Sequence, residues 1–471
     1  MLLTKRGISA PAKHPLRIAV EKHKARLAAE LTRARLRRGC ATLEHLRRQV
    51  KEKGAGQADP RQYEDVVNGN DGGVRHNLPQ PRWVRVNTVK TTMEDQLNTT
   101  FAGFKPAETL NEVLSKTDLW TEPQLIHIDQ HVPNLLALSP GTDLSKTQAY
   151  LNGSVILQDK ASCFPAYLLD PDVQDCCMDA CAAPGNKSTH LAAILREKGR
   201  ELSRKRILIH ATERDPKRAS VLDAMLAKAG ASDLVRVHRQ DFLTFDPTKP
   251  PCSTISALLL DPSCSGSGIV SRDQNYQVTL PSIPAAPAPQ THPKRKRKRA
   301  NLEPLLEVST AVAQEETPVP ADNSPEFLQT RLASLSAFQT RLLLHALHFP
   351  NARTITYSTC SIYADENEHV VIKALLHSRK ESLGWRMLLR SEQAHGMQAW
   401  DVRGDIGACR EALFETEFDA LEIAEACIRC EKGTAEGTQG FFVAAFVRDV
   451  TMTIVPTEEI EEEEWEGFDN D

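Results

Sequence analysis

Asp179-Ala180-Cys181-Ala182-Ala183-Pro184-Gly185-Asn186-Lys187-Ser188-Thr189 decides how this chain folds. An apolar run ends near Ala180 and a helical pattern continues through Ile194, so the stretch reads as the first strand-to-helix turn of a Rossmann-like sheet. Small residues let backbone N–H groups approach a ligand, Gly185 opens backbone angles closed to other residues, and the following helix presents its positive end. Such a turn suits an anionic or polar cofactor. There is no Gly-x-Gly-x-x-Gly to cradle a pyrophosphate, and no Gly-Lys-Ser/Thr of a P-loop. On local pattern alone, a structural turn and a cofactor turn are equally open.

Outward from this turn, strand and helix alternate regularly from Leu151. Strands are expected at 206–212, 234–238 and 255–260, with a helix at 216–229 stopped by Gly230. The continuous apolar run of the last strand is that of a strand buried on both faces, which makes the sheet doubly wound. Asp179, Glu213, Asp241 and Asp261 fall at the carboxyl ends of these strands, the edge where such sheets bind ligands. Glu213, after the second strand, is placed to meet ribose hydroxyls. A long helix is expected at about 326–348, then a strand at 354–358, a helix capped by Asp365 with Glu368 three residues on, and a closing strand at 440–447.

Before the sheet, Arg82 to Thr88 alternates as a strand, 93–104 reads as a helix and 124–128 as another strand, a small α+β module. Arg85, Asn87 and Lys90 give it polar teeth at a spacing that could reach a backbone phosphate. Residues 16–53 form one or two basic amphipathic helices, read either as solvated surface or as phosphate contacts. The expected domains are a basic helical region (1–54), a linker (55–81), the α+β module (82–150), the sheet domain (151–450) and an acidic tail (451–471). A disordered insertion is expected at about 272–325; within it, the six basic residues Lys294 to Arg299 read as a nuclear address.

At 471 residues, 41% hydrophobic and 25% charged, the chain can bury at least two cores. Its formal charge of −4 conceals basic segments and an acidic tail, so it says nothing against a nucleic-acid partner. Eleven cysteines without a framework imply reduced thiols. No apolar run approaches a membrane span, and Lys5 and Arg6 leave no secretory apolar segment.

Two of the thiols suggest chemistry. Cys264, in Asp261-Pro262-Ser263-Cys264-Ser265-Gly266-Ser267-Gly268, and Cys360, in Tyr357-Ser358-Thr359-Cys360-Ser361, each follow a predicted buried strand and can converge with Asp261 at the edge where the organising turn opens. Cys427-x-x-Cys430 has no second pair and reads as structural, as do Cys176 and Cys177; no metal site is expected.

The segments Cys181 to Lys187, Asp261 to Gly268 and Tyr357 to Ser361, in that order and separation, resemble the NSUN (Nop/Sun) family of S-adenosylmethionine-dependent RNA cytosine-5 methyltransferases. Leu157 to Ser162 and Arg85 to Lys90 also look like family segments. Asn186, Ser263 and the helix from His23 to Leu36 are most similar to the branch called NSUN five, which methylates large-subunit ribosomal RNA. The resemblance implies a class I methyltransferase sheet preceded by an RNA-recognition module. It implies that Cys181, Ala182, Ala183, Pro184, Gly185, Asn186, Lys187, Glu213, Arg218, Asp241 and Asp261 bind S-adenosylmethionine. Cys360 is then the nucleophile, Cys264 helps release the product, and Asp261 stabilises the adduct. The implied partner is rRNA, free or in a pre-ribosomal particle, in the nucleus and nucleolus. Three departures stand out: a helical domain that the branch carries ahead of the basic helix is almost wholly absent, the insertion is long, and Glu213 stands where Asp is common. The first of these leads to the expectation of altered RNA docking or an incomplete chain. The contrasting reading is an inert rRNA-binding assembly factor, which has no need of both Cys264 and Cys360. A DNA cytosine methyltransferase would instead use the thiol after the fourth strand and lack the Thr-Cys pair.

Overall fold

The computed structural model describes residues 26, 28–33, 35–37, 39, 42, 80–115, 124–199, 208–269, 325–413 and 418–448. Residues 55–79 of the linker, the Lys294 to Arg299 run and the acidic tail lie outside the described residues. Two units are distinguished, 1–75 and 76–471. In the first, the described residues between 26 and 37 are helical and mostly exposed, with Arg33 and Glu30 paired at 2.6 Å.

The second unit holds two sheets. The smaller has strands β1 (Arg82–Val86), β2 (Lys105–Pro106), β3 (Leu125–Ile128), β4 (Leu135–Leu138) and β5 (Val155–Leu157) in the order β2-β3-β4-β1-β5. One face carries Val84, Val86, Ile126, Leu136 and Leu138 into the module's own core with Phe101. The alternate residues Trp83, Leu135 and Ala137 pack with Phe441, Val443 and Ala445 of the larger sheet. The period of two along β1 and β4 thus gives the module two buried faces and fuses it to its neighbour. The helix expected at 93–104 is shorter, Met93–Asn98 (α1). Thr92 Oγ1 caps it by accepting from Asp95 N at 3.1 Å, and β-branched Thr99 and Thr100 follow, with the Thr99 hydroxyl bonded back to the Asp95 carbonyl at 2.5 Å.

The larger sheet contains β6 (Cys177–Asp179), β7 (Ile209–Thr212), β8 (Val235–His238), β9 (Ala257–Leu260), β10 (Thr354–Thr359), β11 (Arg386–Met387), β12 (Ile428–Cys430) and β13 (Phe441–Val447). Its order is β11-β13-β10-β9-β6-β7-β8, with β12 paired to β13. Pairings from β8 across to β10 are parallel, and β13 runs antiparallel to β10. The chain winds outward from β6 to β8 and then returns to β9 on the other side, so the order reverses between β6 and β9. That is the place where a crevice opens in a doubly wound sheet. Along β9, Leu258 and Leu260 enter one core with Leu342, Leu343, Ile355 and Val371, while Ala257 and Leu259 enter the other with Leu191, Leu195, Leu222 and Leu226. An unbroken apolar run is what burial on both faces requires.

Four helices matter for the site: α2 (Lys160–Leu169), α3 (Asn186–Lys198), α4 (Pro216–Ala229) and α5 (Pro325–Leu347). The boundaries of α4 are set locally by Asp215 as N-cap, Pro216 in the first turn and Gly230 at φ +71°. The expected cap at Asp365 is not formed. Ala364–Glu366 is a short 3-10 turn, and α6 (Glu368–Lys380) starts after Asn367. Asn367 is committed to Thr359 and Ser361, and Glu368 is drawn into a bidentate pair with Arg429 at 2.7 and 2.6 Å, so neither remains free for a capping box. Among the described residues no helix is long and apolar enough to cross a membrane.

Candidate active site at the carboxyl edge of the large sheet

The turn after β6 is rooted in both neighbouring strands. Ala180 N donates to the Leu259 carbonyl at 2.9 Å and Ala182 N to the Thr212 carbonyl at 3.0 Å. Asp179 is fully buried and props the turn from beneath, accepting from Ser188 Oγ at 2.6 Å. Burial pushes its carboxyl up to about 6, against the opposing hydrogen bond from Ser188. Gly185, the N-cap of α3, has φ +110°, and a Cβ there would lie 3.0 Å from Leu222 and 3.2 Å from Met225 of α4. Only glycine combines that backbone with that close approach. Asn186 Oδ1, inside the turn, is buried without a hydrogen-bond partner among the described residues.

Glu213 follows β7 and is buried, its Oε1 accepting from Asp215 N at 3.0 Å. Arg218 Nη1 lies 3.4 Å from Glu213 Oε2, and Nη2 donates to the Ala183 carbonyl at 3.0 Å. Arg218 therefore braces both the acid and the turn. Asp241 caps the short turn at Phe242–Thr244 and pairs with Arg214 at 3.3 Å. An adenosyl group fits this edge: small residues and a helix start on one side, an acid suited to ribose hydroxyls on the other, and an orphaned acceptor within the turn.

Lys187 joins the turn to Asp261, another residue of the expected site. Its Nζ donates to Asp261 Oδ2 at 2.7 Å and Ser162 Oγ at 3.2 Å, 5.5 Å from the Phe441 ring centre. Burial pulls this ammonium down, but Asp261 more than offsets it and the net shift is upward. Ser358 donates to the other Asp261 oxygen at 2.7 Å. The acid is thus oriented from both sides while its side chain keeps 28% exposure, enough to meet a ligand.

Parallel pairing of β9 and β10, with Tyr357 opposite Leu260, brings the two thiol loops side by side. Cys264 Sγ and Cys360 Sγ stand 3.0 Å apart, both half-buried and both free. The hydrogen bond to Cys360, and then burial, push the Cys264 thiol well above the ordinary range, which holds it protonated. The loops are laced together by Ser265, Ser267 and Ser361, whose hydroxyls lie 3.1 to 3.3 Å apart, and by Gly268 N donating to the Cys360 carbonyl at 2.9 Å. A Cβ on Gly268 would fall 2.1 Å from the Gly440 carbonyl oxygen. In the turn after β6, burial raises the Cys181 thiol far out of the reactive range.

The chain matches two family models: NOL1/NOP2/Sun domain family member 5, ferredoxin-like domain, over residues 80–158, and 16S rRNA methyltransferase RsmB/F over residues 166–282. A 25S rRNA (cytosine-C(5))-methyltransferase of Schizosaccharomyces pombe is 34% identical over 79% of this chain. Over these stretches the chain resembles the NOL1/NOP2/Sun family. A 28S rRNA (cytosine-C(5))-methyltransferase of Mus musculus is 32% identical over 80% of the chain. The chain spans 64% of the length of each of these two relatives. A methyltransferase homologue of Pyrococcus horikoshii, known as a crystal structure, is 19% identical with a TM-score of 0.49, covering 79% of this chain and 87% of its own.

The module's polar teeth are a correction. Arg85 is 1% exposed; Nε donates to Gln158 Oε1 at 2.7 Å and Nη2 to Thr189 Oγ1 at 2.9 Å, with burial lowering the guanidinium to about 10. Asn87 bridges the carbonyls of Gly153 and Ala229 at 2.8 Å each, and Lys90 Nζ those of Asn152 and Lys228 at 2.7 Å each. All three tie the module to helices α3 and α4 beside the larger sheet, through Thr189, Ala229 and Lys228. Cys427 and Cys430 are buried with thiols raised by burial, and the described residues contain no group of ligands for a metal. Sequence reasoning missed Ser162, Ser358 and Gly440, because each acts on a residue distant in the chain.

Proposed function

We propose that this chain is an S-adenosylmethionine-dependent RNA cytosine-C5 methyltransferase of large-subunit rRNA. The observation that carries the reading is the pair of free thiols, 3.0 Å apart, beside an oriented Asp261 at the carboxyl edge of the sheet. The names of the fission-yeast and mouse relatives support the substrate. Residues 181–187, with Glu213, Arg218, Asp241 and Asp261, hold the cofactor, which when bound supplies an electrophilic methyl group.

Cytosine C5 is a poor nucleophile, so the Cys360 thiolate first adds to C6 and the C5–C6 electron pair becomes available at C5. Asp261 faces the N3/N4 edge of the base, where charge develops as the adduct forms. Lys187 and Ser358 keep that carboxylate in place. After methylation a solvent water takes the C5 proton, the C–H electron pair restores the C5–C6 double bond, and the C6–S bond breaks to free Cys360 as the thiolate. Cys264, held protonated beside the leaving sulfur, assists this release. The target base must be unstacked, which suits flexible or remodelled RNA, including a pre-ribosomal particle.

Trapping separates the steps. Cys360→Ala should yield neither 5-methylcytosine by bisulfite sequencing nor a covalent complex, whereas Cys264→Ala should accumulate an adduct that survives denaturing electrophoresis. The reverse pattern inverts the roles, and no adduct or methylation from any version, wild type included, points to an inert assembly factor. Action in the nucleus and nucleolus accords with the basic run Lys294 to Arg299. Deleting residues 272–325 should reduce nuclear accumulation; unchanged accumulation removes that run as the dominant signal.

A further inference from the structure

Cys264 is held by more than its strand. Glu366, 0% exposed, stands in the 3-10 turn before α6, and its Oε1 accepts from Ser265 N at 2.9 Å and from Gln339 Nε2 at 2.9 Å. Gln339, on α5 and also 0% exposed, donates from the same nitrogen to the Ser263 carbonyl at 3.0 Å. One buried carboxylate–amide pair therefore grips the peptide groups on both sides of Cys264. The grip is anchored in turn: Tyr357 OH donates to the Glu366 carbonyl at 2.5 Å and Ser336 Oγ to the Asp365 carbonyl at 2.6 Å. A buried carboxyl group costs free energy where it is not fully paired, and Glu366 Oε2 has no hydrogen-bond partner among the described residues. The arrangement makes sense as a way to fix a loop whose own sequence, Ser-Cys-Ser-Gly-Ser-Gly, imposes little.

We propose that Glu366 is a positioning residue for Cys264: through Ser265 N–H, and through Gln339 to the Ser263 carbonyl, it holds the Cys264 thiol against Cys360. The consequence for catalysis rests on the release role proposed for Cys264, but the positioning itself can be read without RNA or cofactor. An azo oxidant such as diamide takes two protons and two electrons from a thiol pair, becoming a hydrazine as one S–S bond forms. The rate at which it links Cys264 to Cys360, followed by peptide mass spectrometry on the full chain, reports their apposition. Glu366→Ala should slow this linkage at least about tenfold, as should Gln339→Met, which keeps the shape and removes the donors. Glu366→Gln retains an acceptor for Ser265 and should stay within about twofold of wild type.

During turnover, Glu366→Ala should accumulate the RNA adduct and lower kcat without moving KM for RNA. Circular dichroism identifies the variants that fold, and Gln339→Met carries the test if Glu366→Ala does not. Wild-type linkage rates in either folded variant overturn the positioning role. A wild-type chain that never methylates RNA instead overturns the proposed function, leaving the linkage result to decide the positioning on its own.

Discussion

Gly268→Ala tests the claim that backbone contact between two loops sets the thiol geometry. A Cβ at Gly268 would stand 2.1 Å from the Gly440 carbonyl oxygen and 2.8 Å from that of Cys360, whereas ordinary contact begins at 3.4 Å. Relief therefore requires a displacement of about 1 Å, on a scale where overpacking costs about 1–3 kcal/mol. Both clashing atoms are backbone, so no side chain can rotate away. β10 is held between β9 and β13, and the segment that yields is the one bearing Cys264. The strand keeps Cys360 in place. A misplacement of about 1 Å in a reacting constellation costs on the order of 100-fold in rate. Purified Gly268→Ala should fold, show a lowered melting temperature and lose about that factor in kcat, with KM for RNA nearly unchanged. Under turnover it should accumulate adduct as Cys264→Ala does. Gly440→Ala, whose Cβ would meet the Gly268 Cα at 2.7 Å, should shift behaviour in the same direction. A folded Gly268→Ala protein that turns over within twofold of wild type would show that the contact does not govern the chemistry.

Two further outcomes follow from the other half of the site. Glu213→Ala should weaken S-adenosylmethionine binding by about 1.5–3 kcal/mol, the scale of a charged hydrogen bond, and unchanged affinity by calorimetry removes Glu213 from the pocket. Asp179, raised by burial to about 6 from 3.8, binds more protons folded than unfolded, so its stabilising contribution is full below 3.8 and is lost as pH rises through about 6. Asp179→Asn has no such titration, so wild-type stability relative to this variant should fall by about 2 kcal/mol between pH 4 and 7 in urea melts; a difference independent of pH refutes the burial argument.

How far the sequence could be read depended on whether a signal and its cause lay close together in the chain. The helix at Pro216–Ala229 matched its expected limits because Asp215, Pro216 and Gly230 act within one turn of its ends. β9 was legible because burial on both faces writes itself as an unbroken apolar run, and the thiols were legible because strand ends in a doubly wound sheet share one edge. The failures have the opposite character. Arg85 on an alternating strand looks solvent-facing by its charge, yet its partners Gln158 and Thr189 lie 73 and 104 residues away. No window of local sequence contains that information. Lys187 sits in a cofactor-turn motif but pairs with Asp261, 74 residues on, so motif membership located the residue without saying which way its long side chain would reach. Asp365 and Glu368 had the spacing of a capping box, and the tertiary pair with Arg429 outbid it because a buried carboxylate needs a cation more than a helix start needs a cap. What local sequence conveys is therefore which elements meet at the edge. What it withholds is the set of long-range hydrogen bonds, Lys187 to Asp261, Glu366 to Ser265, Gly268 to Cys360, that turns an edge into a site with the two thiols at 3.0 Å.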